Sequence, residues 1–246
     1  MASAGIGRSV EGVHAVSAAL DAGRVEHLWV ENRRRSALAS LVKSADRTVT
    51  VDYVDDVRPH ADSSAPQGVV ARCRDLPTVG IDALAAAPHA AILVLDHLED
   101  PHNVGAAARS AVAAGMTGLV VSSDRAAPLS GTTFKAAVGA LERIPVCVVG
   151  SVADALRRLS KHGVWAVGLD AGGTQSLFGL GLLTEPVAVV VGAEGAGLGR
   201  LVAERCDVVA SIPMEGATES LNASVSAALA CFEVARVRHG IDRVDG

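Results

Sequence analysis

The feature that most constrains this chain is a series of uninterrupted apolar runs between residues 91 and 212, each about the length of a strand. They fall at Ala91 to Leu95, Leu119 to Ser122, Ile144 to Val149, Trp165 to Leu169, Val187 to Val191 and Val208 to Ile212, with helical periodicity between most of them. A strand that is apolar on both sides must be covered on both faces, so runs of this kind separated by helices predict a mostly parallel, open α/β sheet. In such sheets ligands bind beyond the carboxyl ends of the strands, and that is where chemistry is to be sought.

Ahead of this series the chain reads as a smaller α/β unit. A helix is expected from about Gly12 to Leu20, strands at Val25 to Val30, Thr48 to Val54 and Gly68 to Cys73, and a short helix over Ser36 to Val42 opened by a serine cap. Residues 76–89 carry Pro77, Gly80, Pro88 and a plain alanine run, the composition of a linker. The expected organisation is therefore a small domain over residues 1–75, a linker over 76–89 and a larger domain over 90–246.

Half of the residues are hydrophobic but only six of 246 are aromatic, so the core is built from Ala, Val and Leu. No apolar stretch approaches the ~20 residues of a membrane span, and Met1 to Val13 has no apolar leader, which predicts a cytoplasmic protein. Cys73, Cys147, Cys206 and Cys231 form no C-x-x-C pair, so neither a metal site nor a disulfide framework is expected. The net charge of −5 shows no overall basic footprint for nucleic acid. Two local basic runs remain, Arg33-Arg34-Arg35 and Arg157-Arg158 with Lys161, each either a binding patch or a solvated charged face.

Three loops after strands hold the polar residues of interest. The first runs from Asp96 through Pro101-His102-Asn103 into an alanine-rich helix bearing Arg109. Asn103 is either a helix cap or a ligand-facing amide, and Arg109, on a helix that looks inward, calls for a structural carboxylate or a bound phosphate. The second, Gly192-Ala193-Glu194-Gly195-Ala196-Gly197-Leu198-Gly199, fits neither a phosphate loop nor a dinucleotide fingerprint. Its glycines allow close backbone approach, and Glu194 either balances the start of the next helix or orients substrate or a neighbouring side chain. The third, Pro213 to Ser226, places Ser220 and Asn222 at the start of a helix whose Leu221, Val225, Leu229 and Phe232 form a stripe expected to be core.

In order, spacing and residue type these three segments resemble the motifs of the SpoU (TrmH) family of SPOUT RNA ribose methyltransferases. Gly12-Val13-His14-Ala15-Val16 and Gln67-Gly68-Val69-Val70-Ala71 resemble the small amino-terminal RNA-binding domain found in that family. The resemblance implies a ribosomal-protein-like RNA-binding domain followed by a methyltransferase domain with a carboxyl-terminal trefoil knot. It also implies a homodimer, S-adenosyl-L-methionine as methyl donor, no metal, and 23S ribosomal RNA as partner, methylated at a guanosine 2′-hydroxyl. Asn103, Arg109, Glu194, Ser220 and Asn222 fall on the family's catalytic positions, and Gly192, Ile212 and Leu221 on positions whose backbone holds the cofactor.

The same resemblance covers transfer-RNA and antibiotic-resistance ribose methyltransferases. A non-catalytic RNA-binding assembly factor would keep the fold without its polar residues, yet all five positions are filled. A nicotinamide dehydrogenase is disfavoured, because the first strand of the large domain leads into Asp-Pro-His-Asn and not a glycine fingerprint.

Overall fold

The computed structural model describes residues 6–124, 126–195, 197–215 and 220–239. In chain order its first elements are β1 (Ser9–Glu11), α1 (Val13–Asp21), β2 (Val25–Glu31), α2 (Ala39–Ser44), β3 (Thr50–Val54), β4 (Val69–Cys73) and α3 (Ile81–Ala85). There follow β5 (Ala91–Leu95), α4 (Pro101–Ala113), β6 (Gly118–Ser122), α5 (Gly131–Ala137), β7 (Val146–Val149), α6 (Val152–Lys161) and β8 (Trp165–Leu169). The last are β9 (Gln175–Ser176), β10 (Val187–Val191), α7 (Arg200–Ala203), β11 (Val208–Ser211) and α8 (Ala223–His239).

The chain divides into two units. Unit 1 comprises Met1–Pro77 together with Pro128–Arg143, and unit 2 comprises Thr78–Ala127 and Ile144–Gly246.

Unit 1 is a four-stranded sheet of order β1-β4-β2-β3, with β2 and β3 parallel and the other pairs antiparallel. Leu28 and Val30 of β2 are fully buried, while His27 and Trp29 alternate to the other face, as strand geometry requires. The expected helix over Ser36 to Val42 starts later: Arg33 and Arg34 lie in a 3-10 turn, and α2 begins after Leu38 with no side-chain cap. Leu38 is buried at that junction, so packing and not a serine hydroxyl sets the helix start.

Residues 128–143, which lie between β6 and β7 in the chain, are an integral part of unit 1. Phe134 and Ala137 of α5 are fully buried there, and the Gly7 amide donates to Leu129 O (3.1 Å). Arg24 and Glu142 form an ion pair with side-chain exposures of 5% and 3%. Arg24 Nε donates to Glu142 Oε2 (2.8 Å), Nη1 donates to the Gly7 and Arg74 carbonyls, and the guanidinium lies over the Phe134 ring. A buried charge paired and hydrogen-bonded this fully is stable, but losing either partner costs several kcal/mol.

Unit 2 is a seven-stranded, wholly parallel sheet of order β7-β6-β5-β10-β8-β11-β9. Every residue of β5, β6 and β10 is buried, which accounts for their continuous apolar sequence. Residues 76–89 do more than link. Ile81 and Leu84 of α3 are buried in the same hydrophobic cluster as Val94, Val120, Leu156 and Val190. The apolar stripe on α8 is a second difference: Leu221, Val225 and Phe232 are among the exposed large hydrophobics, and the helix instead buries Ala223, Ala227, Ala230, Cys231 and Val234. α8 packs along α4, whose Ala107, Ala108 and Ala111 are buried as well, and small side chains on both helices permit that close approach.

Candidate active site

The register of unit 2 brings four carboxyl ends level. Val191 of β10 pairs with Leu95 of β5 and with Leu169 of β8, and Ala210 of β11 also pairs with Leu169. The residues just past these ends therefore meet. A cavity of about 410 Å³ opens there, bordered among others by Asp170 after β8, Gly192 and Glu194 after β10, Ile212 after β11, and Ser220 and Leu221 before α8.

The glycines of the loop after β10 have separate reasons. A side chain on Gly192 would run into the Gly197 carbonyl and the Leu198 amide, because Ala193 and Gly197 bridge and fold the loop back on itself. Gly197 has φ +64, and a Cβ there would lie 2.7 Å from Asp170 Oδ2. Ala196 lies outside the described residues, as does the Gly216 to Glu219 stretch of the third segment.

Glu194 is the acceptor at the centre of the polar cluster. Its Oε1 accepts from Asn103 Nδ2 (2.8 Å) and from Asn222 Nδ2 (2.7 Å), and Asn222 Nδ2 also donates to Asn103 Oδ1 (3.0 Å). The two amides and the carboxylate thus form a closed triangle. Asn103 does not cap α4: Asp100 does, accepting from the His102 amide (2.8 Å), with Pro101 as the first helical residue. That leaves the Asn103 amide, 7% exposed, for Glu194. Asn222 serves both purposes weighed from sequence. Its Oδ1 accepts from the Ser224 and Val225 amides (2.9 and 3.3 Å) and caps α8, while its Nδ2 reaches the triangle.

Arg109 departs from expectation. It is exposed, and among the described residues it has no hydrogen bond or ion pair, so its helix position needs no buried anion. Asn103, Val104, Ala107, Ala108 and Ala111 occupy the inward face of α4, and at about 100° per residue His102 and Arg109 fall on the outward one. Gly192, Glu194, Ile212, Ser220 and Leu221 border the cavity; Asn103 and Asn222 join through Glu194; Arg109 borders neither. Sequence reading passed over Asp170, which borders the cavity from the end of β8 and accepts from the Gly172 amide (2.9 Å). Its signal was the Asp-Ala-Gly-Gly run directly after an apolar strand.

Among the described residues no group of three His, Cys, Asp and Glu side chains could hold a metal. Nor is any helix among them long and apolar enough to cross a membrane. The four cysteines are free, and burial pushes the thiols of Cys73, Cys206 and Cys231 up to about 12.

A glycine-lined cavity and an amide–carboxylate cluster at the carboxyl edge of a parallel sheet form a small-molecule site of the open α/β kind. Its likeness to known proteins makes it that of a SPOUT methyltransferase using S-adenosylmethionine. Residues 90–232 match the model of the SpoU rRNA Methylase family, and residues 9–79 match that of the RNA 2′-O ribose methyltransferase substrate binding domain. The chain belongs to the SpoU family. It is 37% identical over 243 residues, 93% of this chain and 98% of the relative, to the 23S rRNA (guanosine-2′-O-)-methyltransferase RlmB of Photorhabdus laumondii. It is 38% identical to the putative TrmH family tRNA/rRNA methyltransferase YacO of Bacillus subtilis, over 87% of this chain and 89% of that one. The solved structure of the SpoU methyltransferase AviRb from Streptomyces viridochromogenes in complex with AdoMet superposes with a TM-score of 0.80 at 27% identity, covering 94% of this chain and 90% of that one.

The cavity fits this cofactor. Its volume lies within the ~300–1,000 Å³ typical of small-molecule sites, and Gly192, Ile212 and Leu221 all border it.

Proposed function

We propose that this protein transfers a methyl group from S-adenosylmethionine to the 2′-hydroxyl of a guanosine in 23S ribosomal RNA. The observation that carries this reading is the Asn103–Glu194–Asn222 triangle, whose carboxylate borders a cofactor-sized cavity. The cofactor supplies an activated methyl on a sulfonium, so the protein's task is mainly alignment, worth ~7–11 kcal/mol when reacting atoms are held in line.

Gly192, Ile212 and Leu221 hold the cofactor through their backbone. Glu194 fixes the two asparagine amides. Asn103 keeps one N–H and one lone pair to bond the ribose or its phosphate, and Asn222 turns to the same groups by exchanging one of its present bonds. Ser220 steadies the loop before α8. Arg109 pairs with the target nucleotide's phosphate and stabilises negative charge developing on the 2′-oxygen. A guanidinium holds its proton at neutral pH, so the hydroxyl proton leaves to that phosphate or to water. That Arg109 has no partner among the described residues suits a group reserved for substrate.

Unit 1 binds the RNA, and the protein acts in the cytoplasm as a homodimer, with a second copy covering the exposed Leu221 before α8 and Val225 and Phe232 on it. The trefoil knot belongs to the same reading. It is supported by Gly173, where a side chain would strike the Ala210–Ser211 backbone, a close crossing of two chain segments.

The test is methyl transfer from labelled S-adenosylmethionine to unmodified 23S rRNA and, in parallel, tRNA transcripts, with the modified nucleotide mapped by resistance to alkaline cleavage. A single 2′-O-methylguanosine in 23S rRNA is the expected result. Label on tRNA alone would move the substrate and keep the chemistry.

A further inference from the structure

Unit 1 carries twelve basic and eleven acidic residues over 1–77 and 128–143, a net charge of +1, so its total charge gives a polyanion little reason to bind. The distribution does. A cleft of about 730 Å³ in unit 1 is bordered among others by Glu31, Arg33, Arg34, Arg58, Gln67 and Gly68, three guanidinium groups against one carboxylate. Arg33 Nε donates to Glu31 Oε2 (2.6 Å) and Arg58 Nε donates to Asp56 Oδ1 (2.9 Å), so these two guanidinium groups are already matched by acids. Arg34 is exposed and has neither a hydrogen bond nor an ion pair among the described residues.

The cleft is built and not merely a gap between flexible side chains. Gln67 and Gly68 have φ +63 and +80, two consecutive left-handed residues, the first of them a non-glycine that adopts this conformation at a cost. Gln67 Oε1 accepts from the Val13 amide (3.1 Å), which ties the turn to the start of α1. A Cβ on Gly68 would lie 2.7 Å from Arg34 Cγ, so the absent side chain is what lets the Arg34 stem lie against the turn. The 3-10 turn that carries Arg58 is fixed by its last residue, His60, whose ring stacks on Trp29 at 4.3 Å, with His27 stacked on Trp29 at 4.1 Å.

The second basic run of the sequence supplies the contrast. Arg157 is paired with Asp154 and Arg158 with Asp82, both at 2.6 Å, so the two arginines of that run already face acids, and they border neither this cleft nor the cofactor cavity.

We propose that this cleft is where unit 1 binds the phosphodiester backbone of RNA, with Arg34 making the principal phosphate contact and Arg33 and Arg58 flanking it. The inference rests on the RNA-methyltransferase reading above and assigns the grip of unit 1 to particular side chains. A planar guanidinium with free donors matches a phosphate bidentately. Arg58, whose partner Asp56 is solvent-exposed, can trade it for a phosphate with little loss, whereas Arg33 keeps the buried Glu31 neutralised and offers only its remaining donors. Contacts of this kind position the RNA through charge and shape, and leave the choice of base to the site in unit 2.

Filter binding of the full-length protein to a 23S rRNA transcript across a salt series tests this directly. Arg34→Gln should weaken binding by about tenfold at ~0.1 M salt and make the slope of log affinity against log salt shallower by about one. Arg34→Lys should restore the slope. Arg58→Gln should lose less than Arg34→Gln, and Arg158→Gln should match wild type. The KM for S-adenosylmethionine and the thermal midpoint of Arg34→Gln should be those of wild type. Wild-type affinity and slope in Arg34→Gln would overturn the cleft assignment alone, as would a lowered midpoint without a change in slope. A wild-type protein that binds S-adenosylmethionine but neither binds nor methylates the transcript would overturn the wider reading and this one with it.

Discussion

The two units hold their polar side chains in opposite ways. At the carboxyl edge of the unit 2 sheet, Asn103, Glu194 and Asn222 satisfy one another before any ligand arrives, and Asn222 is further fixed as the cap of α8. In the cleft of unit 1, Arg34 has no partner among the described residues; beside it Arg58 holds an exposed, exchangeable pair with Asp56, and Arg33 covers the buried Glu31. The difference teaches what each unit is for. A reacting centre must be aligned in advance, because each misplaced group is paid for in rate; a surface for a long polyanion gains from charges that can follow it.

Unit 1 has one locked network of its own, and breaking it should have the largest effect. Arg24→Ala leaves Glu142 buried without its cation and should destabilise the protein by roughly 3–5 kcal/mol, read from the denaturant midpoint of unfolding. A loss under ~1 kcal/mol would mean that unit 1 is not closed by residues 128–143. Asn222→Ala sharpens the contrast in unit 2. Turnover should fall about 100- to 1,000-fold, the usual penalty for losing one positioned donor, with ~1 kcal/mol of stability lost along with the cap. An Asn222→Asp variant that keeps the cap but not the activity would separate the two roles, since a carboxylate facing Glu194 cannot donate. Arg109→Lys is the mildest. Its turnover should drop about tenfold through loss of the bidentate contact, with stability within ~0.5 kcal/mol of wild type because the side chain is exposed and has no partner among the described residues. Near-normal turnover would remove the bidentate argument.

Much of unit 2 was legible in the sequence. β5, β8 and β10 run where the apolar stretches over 91–95, 165–169 and 187–191 place them, because a strand buried on both faces carries its boundaries in its composition. β1 and β9, of three and two residues, are too short to leave a period. The alanine-rich face of α8 was misread for a related reason. Large apolar residues at helical spacing suggest a core, but here tight packing on α4 selects the small ones and turns Val225 and Phe232 outward.

At the site, the sequence pointed to individual residues and not to their pairing. Asn103 is separated by 91 positions from Glu194 and by 119 from Asn222, and only the level strand ends bring them together. Arg109 was misplaced because it was put on the inward-looking side of an alanine-rich helix, when it lies on the outward face.

The membership of residues 128–143 in unit 1 reaches back to the synthesis of the chain. When Pro77 has left the ribosome, Arg24 still lacks its carboxylate and the Phe134 position is empty, so the first unit cannot close. Its last piece emerges only after β5 and β6 of the second unit have been made. Emergence from the amino end therefore does not give this protein one finished domain and then another: both halves await their partners over the same interval, and a translational pause before Arg143 would hold both of them open.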